Sequence, residues 1–167
     1  LVRITFPIKM KIDQKNISSV EMACKVIEEQ LRQKIKSSFQ NPYRVDVAYT
    51  FPLYPSLDFS WLTIECSVPP PFVDRMKRLI LSELKFLQTK NNPSFTLEQK
   101  QNDEYWLKQN DFWVASLSNY YLIGWNPDHI IKDIEKEKKL SKEAIQDLIR
   151  NLISLTNYTI IWSIPKI

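Results

Sequence analysis

Residues 2–12 read VRITFPIKMKI, and the reading of the fold starts from them. Val2, Ile4, Phe6, Ile8, Met10 and Ile12 fall on one face, and Arg3, Thr5, Lys9 and Lys11 on the other. A period of two is the pattern of a half-buried strand. Pro7 has no N–H to give a neighbouring strand, so it predicts an edge position or a bulge.

Working outward, Ser18 with Glu21 three residues on forms a capping box that predicts a helix start. Val20, Ala23, Cys24, Ile27, Leu31 and Ile35 then share one helical stripe, which ends near Ser38 ahead of Asn41-Pro42. Tyr43, Val45, Val47, Tyr49 and Phe51 alternate as a second strand, and Pro52, Pro55 and Ser56 make a turn. Leu62, Ile64, Cys66 and Val68 form the inward face of a third strand, stopped by Pro69-Pro70-Pro71.

A second helix is predicted over 72–88, with Val73, Met76, Leu79, Ile80, Leu84 and Leu87 as its stripe. Asn92-Pro93 breaks the chain. Thr96 with Gln99 opens a long third helix through Tyr121, with Gly124 as a left-handed cap. Pro127 starts a short helix carrying His129 to Glu137. Ser141 caps the last helix, with Leu140 packed on Ile145 as a staple. Residues 158–164 are apolar almost throughout, which predicts a central, covered final strand. The predicted order is β-α-β-β-α-α-α-β, a split βαβ pattern with extra helices in the second crossover. The fold class is therefore α+β: a four-stranded antiparallel or mixed sheet covered by helices on one face.

Length and composition bound the function. A chain of 167 residues is one domain by the usual length prior, and 44% hydrophobic with 25% charged residues is ordinary for a folded core. A net charge of +4, with Lys136, Lys138 and Lys139 interleaved with Glu135 and Glu137, reads as a solvated helix face. It does not form the one-sided basic patch of a nucleic-acid binder. A βαββαβ core with surface aromatics is shared with RNA-binding sheets, but their Gly-containing signature is absent. No run of 18 apolar residues spans a membrane, and no signal peptide opens the chain. The chain begins at Leu1 rather than Met, as a segment of a longer protein would.

Cys24 and Cys66 are expected to be buried thiols, since two cysteines make no disulfide framework here and no CxxC occurs. The lone histidine, His129, cannot by itself supply a histidine zinc site and reads as a surface or capping residue. The lone glycine, Gly124, excludes both glycine-rich phosphate loops. Asp103 and Glu104 are adjacent on a helix and point apart, so no self-contained catalytic set emerges. Tyr105, Trp106, Phe112, Trp113, Tyr120 and Tyr121 crowd the third helix. Such a stripe reads as core, or alternatively as an aromatic wall for peptide binding.

Residues 110–117 (NDFWVASL), then Gly124, Pro127-Asp128-His129-Ile130-Ile131, Leu140-Ser141-Lys142-Glu143-Ala144-Ile145 and a closing strand ending at Pro165 together carry a resemblance. The chain resembles the C-terminal non-catalytic domain of the pitrilysin/insulinase zinc peptidases, the group that includes the mitochondrial processing peptidases. Upstream, residues 31–47 are similar to the family's Leu-Arg-Glu-x-x-Gly-x-x-Tyr segment. Lys36 stands for the Arg, Tyr43 for the Tyr, and Gln40 or Asn41 for the Gly.

The resemblance implies one non-catalytic domain over residues 1–167, facing a separate catalytic domain that carries the inverted HxxEH motif and zinc. This chain, with one His and no HxxEH, then holds no cofactor and is inactive alone. Its implied partners are that catalytic domain, of the same or another chain, and an extended, unfolded peptide; neither nucleic acid nor membrane is implied. Tyr43 and Lys36 are the implied substrate-orienting residues, a hydroxyl and a cation near the scissile carbonyl. A lysine lacks arginine's bidentate fork, and its plain reading is a cation at a helix C-terminus. For Tyr43 the plain reading is a sheet or core tyrosine. The resemblance also implies the bacterial periplasm. A catalytically inactive peptide-binding or scaffold module of the same fold is the competing reading.

Overall fold

The computed structural model describes residues 1–41, 43–50, 60–89, 105, 107–137 and 141–163. The turn at Pro52, Pro55 and Ser56, the break at Asn92-Pro93, and the helix opening at Thr96 lie outside them. So do Trp106, the carboxylate pair at 103–104, the Leu140 staple and Pro165.

Among the described residues the chain forms strands β1 (Val2–Ile8), β2 (Val45–Tyr49), β3 (Ser60–Cys66) and β4 (Thr159–Trp162). The helices are α1 (Ile17–Phe39), α2 (Val73–Leu87), α3 (Asn110–Ile123), α4 (Ile130–Glu137) and α5 (Lys142–Leu152). Single 3-10 turns at Pro70–Phe72 and Pro127–His129 lead into α2 and α4. Among the described residues the second crossover holds four helices, one more than the predicted order counts. The class is as expected: one four-stranded sheet, every pair antiparallel, in the order β2-β3-β1-β4.

Alternation decides which sheet face is covered. Val2, Ile4 and Phe6 of β1 and Leu62, Ile64 and Cys66 of β3 lie opposite one another and are buried. Val20, Ile27, Leu31 and Ile35 of α1, Met76, Ile80, Leu84 and Leu87 of α2, and Ile145, Ile149 and Leu152 of α5 complete the same core. The other sheet face carries Arg3, Thr5, Trp61, Thr63 and Glu65. Its charges pair locally, Arg3 with Glu65 at 2.6 Å and Arg44 with Asp46 at 2.7 Å.

Three expectations are corrected. The final strand is not central: among the described residues β4 is an edge strand paired to β1 alone, and Thr159, Ile161 and Trp162 are exposed. A continuous apolar run reports lack of alternation, not position, and β3 already occupies the other side of β1. Pro7 sits in an inner strand rather than at an edge. Leu1 and Ser163 exchange both backbone hydrogen bonds, so the odd residues of β1 direct their N–H groups towards β4. Pairing with β4 ends at Thr5–Thr159, so the N–H that Pro7 lacks would point beyond it. The ladder loses nothing there. Finally, the capping box at Ser18 does not form. Helix α1 begins one residue earlier after Asn16, Ser18 is buried, and Glu21 is engaged by Tyr49 instead. The turn before the helix is held by Asp13, whose Oδ1 accepts from the N–H groups of Lys15 and Asn16.

Other local expectations stand. Ser141 Oγ accepts from the Ala144 N–H at 3.2 Å, and Gly124 closes α3 at φ 79°. Both cysteines are buried and unbridged.

Candidate functional site

Tyr43 lies just before β2 and is half-buried. Its ring stands edge-on to Phe39 at 5.6 Å, and Phe39 in turn packs edge-on against Phe72 at 5.9 Å. Arg75 of α2 covers the Phe39 ring at 4.7 Å and donates to the Ser38 carbonyl at 2.8 Å. Tyr43 thereby becomes one wall of a shallow cleft of about 430 Å³ with Leu1, Val68, Pro69, Pro70, Val73 and Ser163. The cleft sits at the end of the sheet that holds the start of β1, the ends of β3 and β4 and the approach to β2.

Lys36 is in the last turn of α1 with its side chain exposed, and it does not line that cleft. Its carbonyl accepts the cap N–H of Gln40 at 3.0 Å. Gln40 has φ 55°, the left-handed conformation that favours glycine. Of the two residues that could replace the family's glycine, Gln40 is therefore the one in the glycine-type position. The structure thus places Tyr43 at a concave surface and Lys36 on the helix surface, without joining them in one cleft.

Sequence reasoning missed a second cleft, of about 400 Å³, between α1, the end of β2, α3 and α4. Tyr49 Oη donates to Glu21 Oε1 at 2.9 Å, and Tyr120 Oη donates to Asp133 Oδ2 at 2.8 Å. Tyr120 and Trp125 meet edge-on at 5.5 Å, and Phe112 adds a third aromatic wall. Burial pushes the Tyr120 phenol up from its ordinary range, and its hydrogen bond to the Asp133 carboxylate acts in the same direction. The crowd of aromatics on the third helix was the available signal. It suggested core, yet no residue of α3 is buried, and Val114, Tyr121 and Leu122 are 65%, 70% and 72% exposed. Glu21 and Asp133 could not be read as members, because they come from helices far apart in sequence.

The cysteines fit no catalytic role. Burial pushes the Cys24 thiol up to about 12, with the nearby Glu21 and Glu28 carboxylates adding to it, and pushes Cys66 up to about 11. A thiol held this protonated is a poor nucleophile. Among the described residues no group of three His, Cys, Asp or Glu is placed to hold a metal ion. Nor is any helix among them long and apolar enough to cross a membrane. His129 lies at the end of the 3-10 turn before α4.

The fold can be set beside known structures. No family model matches the chain, and no curated protein does. Solved structures do match. The peptidase M16 inactive domain from Pseudomonas fluorescens superposes with a TM-score of 0.70 at 12% identity, over 95% of this chain and 40% of that one. The periplasmic protease PqqL from Escherichia coli gives 0.62 at 10% identity, over 95% of this chain and 18% of that one. The protein therefore has the fold of an inactive M16 peptidase domain, the fold that the sequence resemblance implied. The chain spans well under half the length of these structural neighbours.

Proposed function

We propose that this protein is the non-catalytic, substrate-cradling domain of a zinc metallopeptidase that acts on unfolded peptides. The observation that carries the proposal is the M16 inactive-domain fold over 95% of the chain. In this reading the zinc and its HxxEH motif belong to a catalytic partner domain, of the same or another chain. The residues of this domain do not fit the metal, since it has one histidine and no HxxEH.

Tyr43 is proposed as the substrate-orienting hydroxyl, supported by its place in the cleft at the sheet end. A phenol there would donate to a peptide carbonyl and hold the chain in reach of the partner's metal-bound water. Lys36 is proposed as the accompanying cation; its exposure leaves the side chain able to reach across an interface. The edge of β4 suits an extended peptide. Its hydrogen-bonding alternation aims the N–H and C=O groups of Ile160 and Trp162 away from β1. The opposite edge is partly closed, because the Val47 N–H of β2 donates to Glu28 Oε2 of α1 at 3.2 Å. The periplasmic setting of the E. coli neighbour supports a periplasmic parent protein.

The test is cleavage of an unstructured fluorogenic peptide by the complete parent protein and by this domain alone. Cleavage by the parent only, abolished by a chelator, is expected. In the active parent, Tyr43→Phe should lower turnover about 10- to 100-fold with the domain still folded. Unchanged turnover would remove Tyr43 from the mechanism. A second reading, an inactive peptide-binding or scaffold module, is favoured by the separation of Lys36 from the Tyr43 cleft. Absence of cleavage by the parent, with peptide binding retained, would select it.

A further inference from the structure

We infer that the free edge of β4 is a self-association surface, where a second copy of this chain pairs antiparallel about a two-fold axis at Ile161. The two four-stranded sheets then run on as one. The pairing uses neither Tyr43 nor Lys36 and needs no catalytic partner, so its test is separate from peptide cleavage. A peptide and a second copy would occupy the edge in turn.

An exposed sheet edge presents unpaired backbone donors and acceptors. Proteins that stay single protect it with charge, proline, a bulge or a covering element. The two edges of this sheet differ in that respect. At β2, Asp46 lies within the strand, Arg44 stands just before it, and Glu28 Oε2 of α1 takes the Val47 N–H at 3.2 Å. Strand β4 reads Thr-Ile-Ile-Trp, with no charge and no proline. Its apolar side chains reach solvent on both faces, Ile161 being 58% and Trp162 51% exposed. The outward N–H and C=O groups of Ile160 and Trp162 have no partner among the described residues. The two cations placed beside the strand are both engaged. Arg3 pairs with Glu65 at 2.6 Å, and Lys77, over the Trp162 ring at 4.7 Å, pairs with Asp74 at 2.8 Å. Neither sets a free positive charge against its copy.

The hydrogen-bonding alternation fixes the register. In an antiparallel pair, only residues that both face outward exchange N–H···O=C bonds. Setting Ile160 against Trp162 of the second copy, and Trp162 against its Ile160, satisfies every outward group of these residues on both chains. No other register pairs both residues within Thr159–Trp162. A slip by one residue sets outward groups against inward ones and loses the bonds. The axis then passes between the two copies of Ile161, which meet on the open sheet face beside Arg3 and Thr5. On the helix-covered face each Trp162 meets an Ile160, an aromatic against a β-branched side chain. One strand thus supplies both halves of the contact, as an isologous two-fold interface requires. A few backbone bonds and a short apolar strip make a small contact, so the association is expected to depend on concentration, with Kd on the order of 10–100 μM.

The experiment follows the 167-residue chain by sedimentation velocity from about 5 to 500 μM, beside two cysteine variants oxidised with diamide. Ile161→Cys places two thiols at the axis, where cross-strand neighbours are close enough for a disulfide. Thr159→Cys places an exposed thiol on the same face but roughly 13 Å from its copy, four residues along the strand. Cys24 and Cys66 are buried and stay out of the reaction. A reversible monomer–dimer equilibrium is expected, with Ile161→Cys cross-linking about 10-fold faster than Thr159→Cys. Ile161→Lys sets like charges on the axis and should raise Kd about 10-fold or more. Its thermal midpoint should stay near that of the parent, because residue 161 is exposed. A chain that remains monomeric to about 500 μM would overturn the inference and leave the edge to a strand of another protein. So would a dimer that survives Ile161→Lys, or equal cross-linking of the two cysteine variants, since either places the contact elsewhere.

Discussion

At the scale of single residues, Gln40 marks the end of α1 with an unusual backbone conformation. It caps α1 in a left-handed conformation at φ 55°, with its N–H on the Lys36 carbonyl. For a residue with a Cβ this region costs roughly 1 kcal/mol, which glycine avoids. Gln40→Gly is therefore expected to raise stability by about 0.5–1 kcal/mol, measured as a shift of the urea midpoint without a change in m. A loss of stability would show that the Gln side chain makes up for the backbone strain. The sequence resemblance located this position only to within one residue, at Gln40 or Asn41. Backbone dihedrals decide between them, and no pattern of residue types encodes those.

At the scale of elements, strands and helices that bury one face were legible, and those that do not were misread. The alternation of β1 and β3 and the stripes of α1 and α2 carried over directly into the core. Elements without such a contrast failed. Strand β4 has apolar residues on both faces, so its position at the sheet edge left no periodic signal. Helix α3 has no single apolar stripe, and its aromatics suggested core or an aromatic wall for peptide binding, yet none of its residues is buried. The Glu21, Tyr49, Tyr120 and Asp133 cleft was not legible, because it depends on how α1 meets α3 and α4. The difference between α2 and α3 is measurable. Leu84 is 0% exposed and Leu122 is 72% exposed. Leu84→Ala should cost about 2–5 kcal/mol, whereas Leu122→Ala should stay within about 0.5 kcal/mol. Comparable losses for both in chemical denaturation would mean that α3 is packed after all.

At the scale of the whole molecule, one covered sheet face unites Cys24 of α1 and Cys66 of β3 in a single core, and this gives the fold a characteristic response to alkali. An unfolded thiol ionises near its ordinary value of 9.0, but burial holds Cys24 at about 12 and Cys66 at about 11. A folded pKa raised above the unfolded one means that the contribution to stability is complete below about pH 9. Above that, the unfolded state gives up its thiol protons while the folded state retains them, so stability falls as pH rises towards the folded values. By about pH 10.5 the loss should be on the order of 1–2 kcal/mol per thiol. Tyr120 adds to the fall only above its own ordinary range, because burial also raises that phenol. Thermal unfolding followed from about pH 8 to 10.5 should show a midpoint that declines across this window. In the Cys24→Ala/Cys66→Ala double variant the starting midpoint should be lower, since two buried side chains are shortened, but the decline should be shallower. Parallel declines in parent and variant would place the alkaline sensitivity elsewhere, in lysines or exposed tyrosines. A flattened profile in the variant would show that the two thiols, far apart in sequence, are ionised only when the shared core opens.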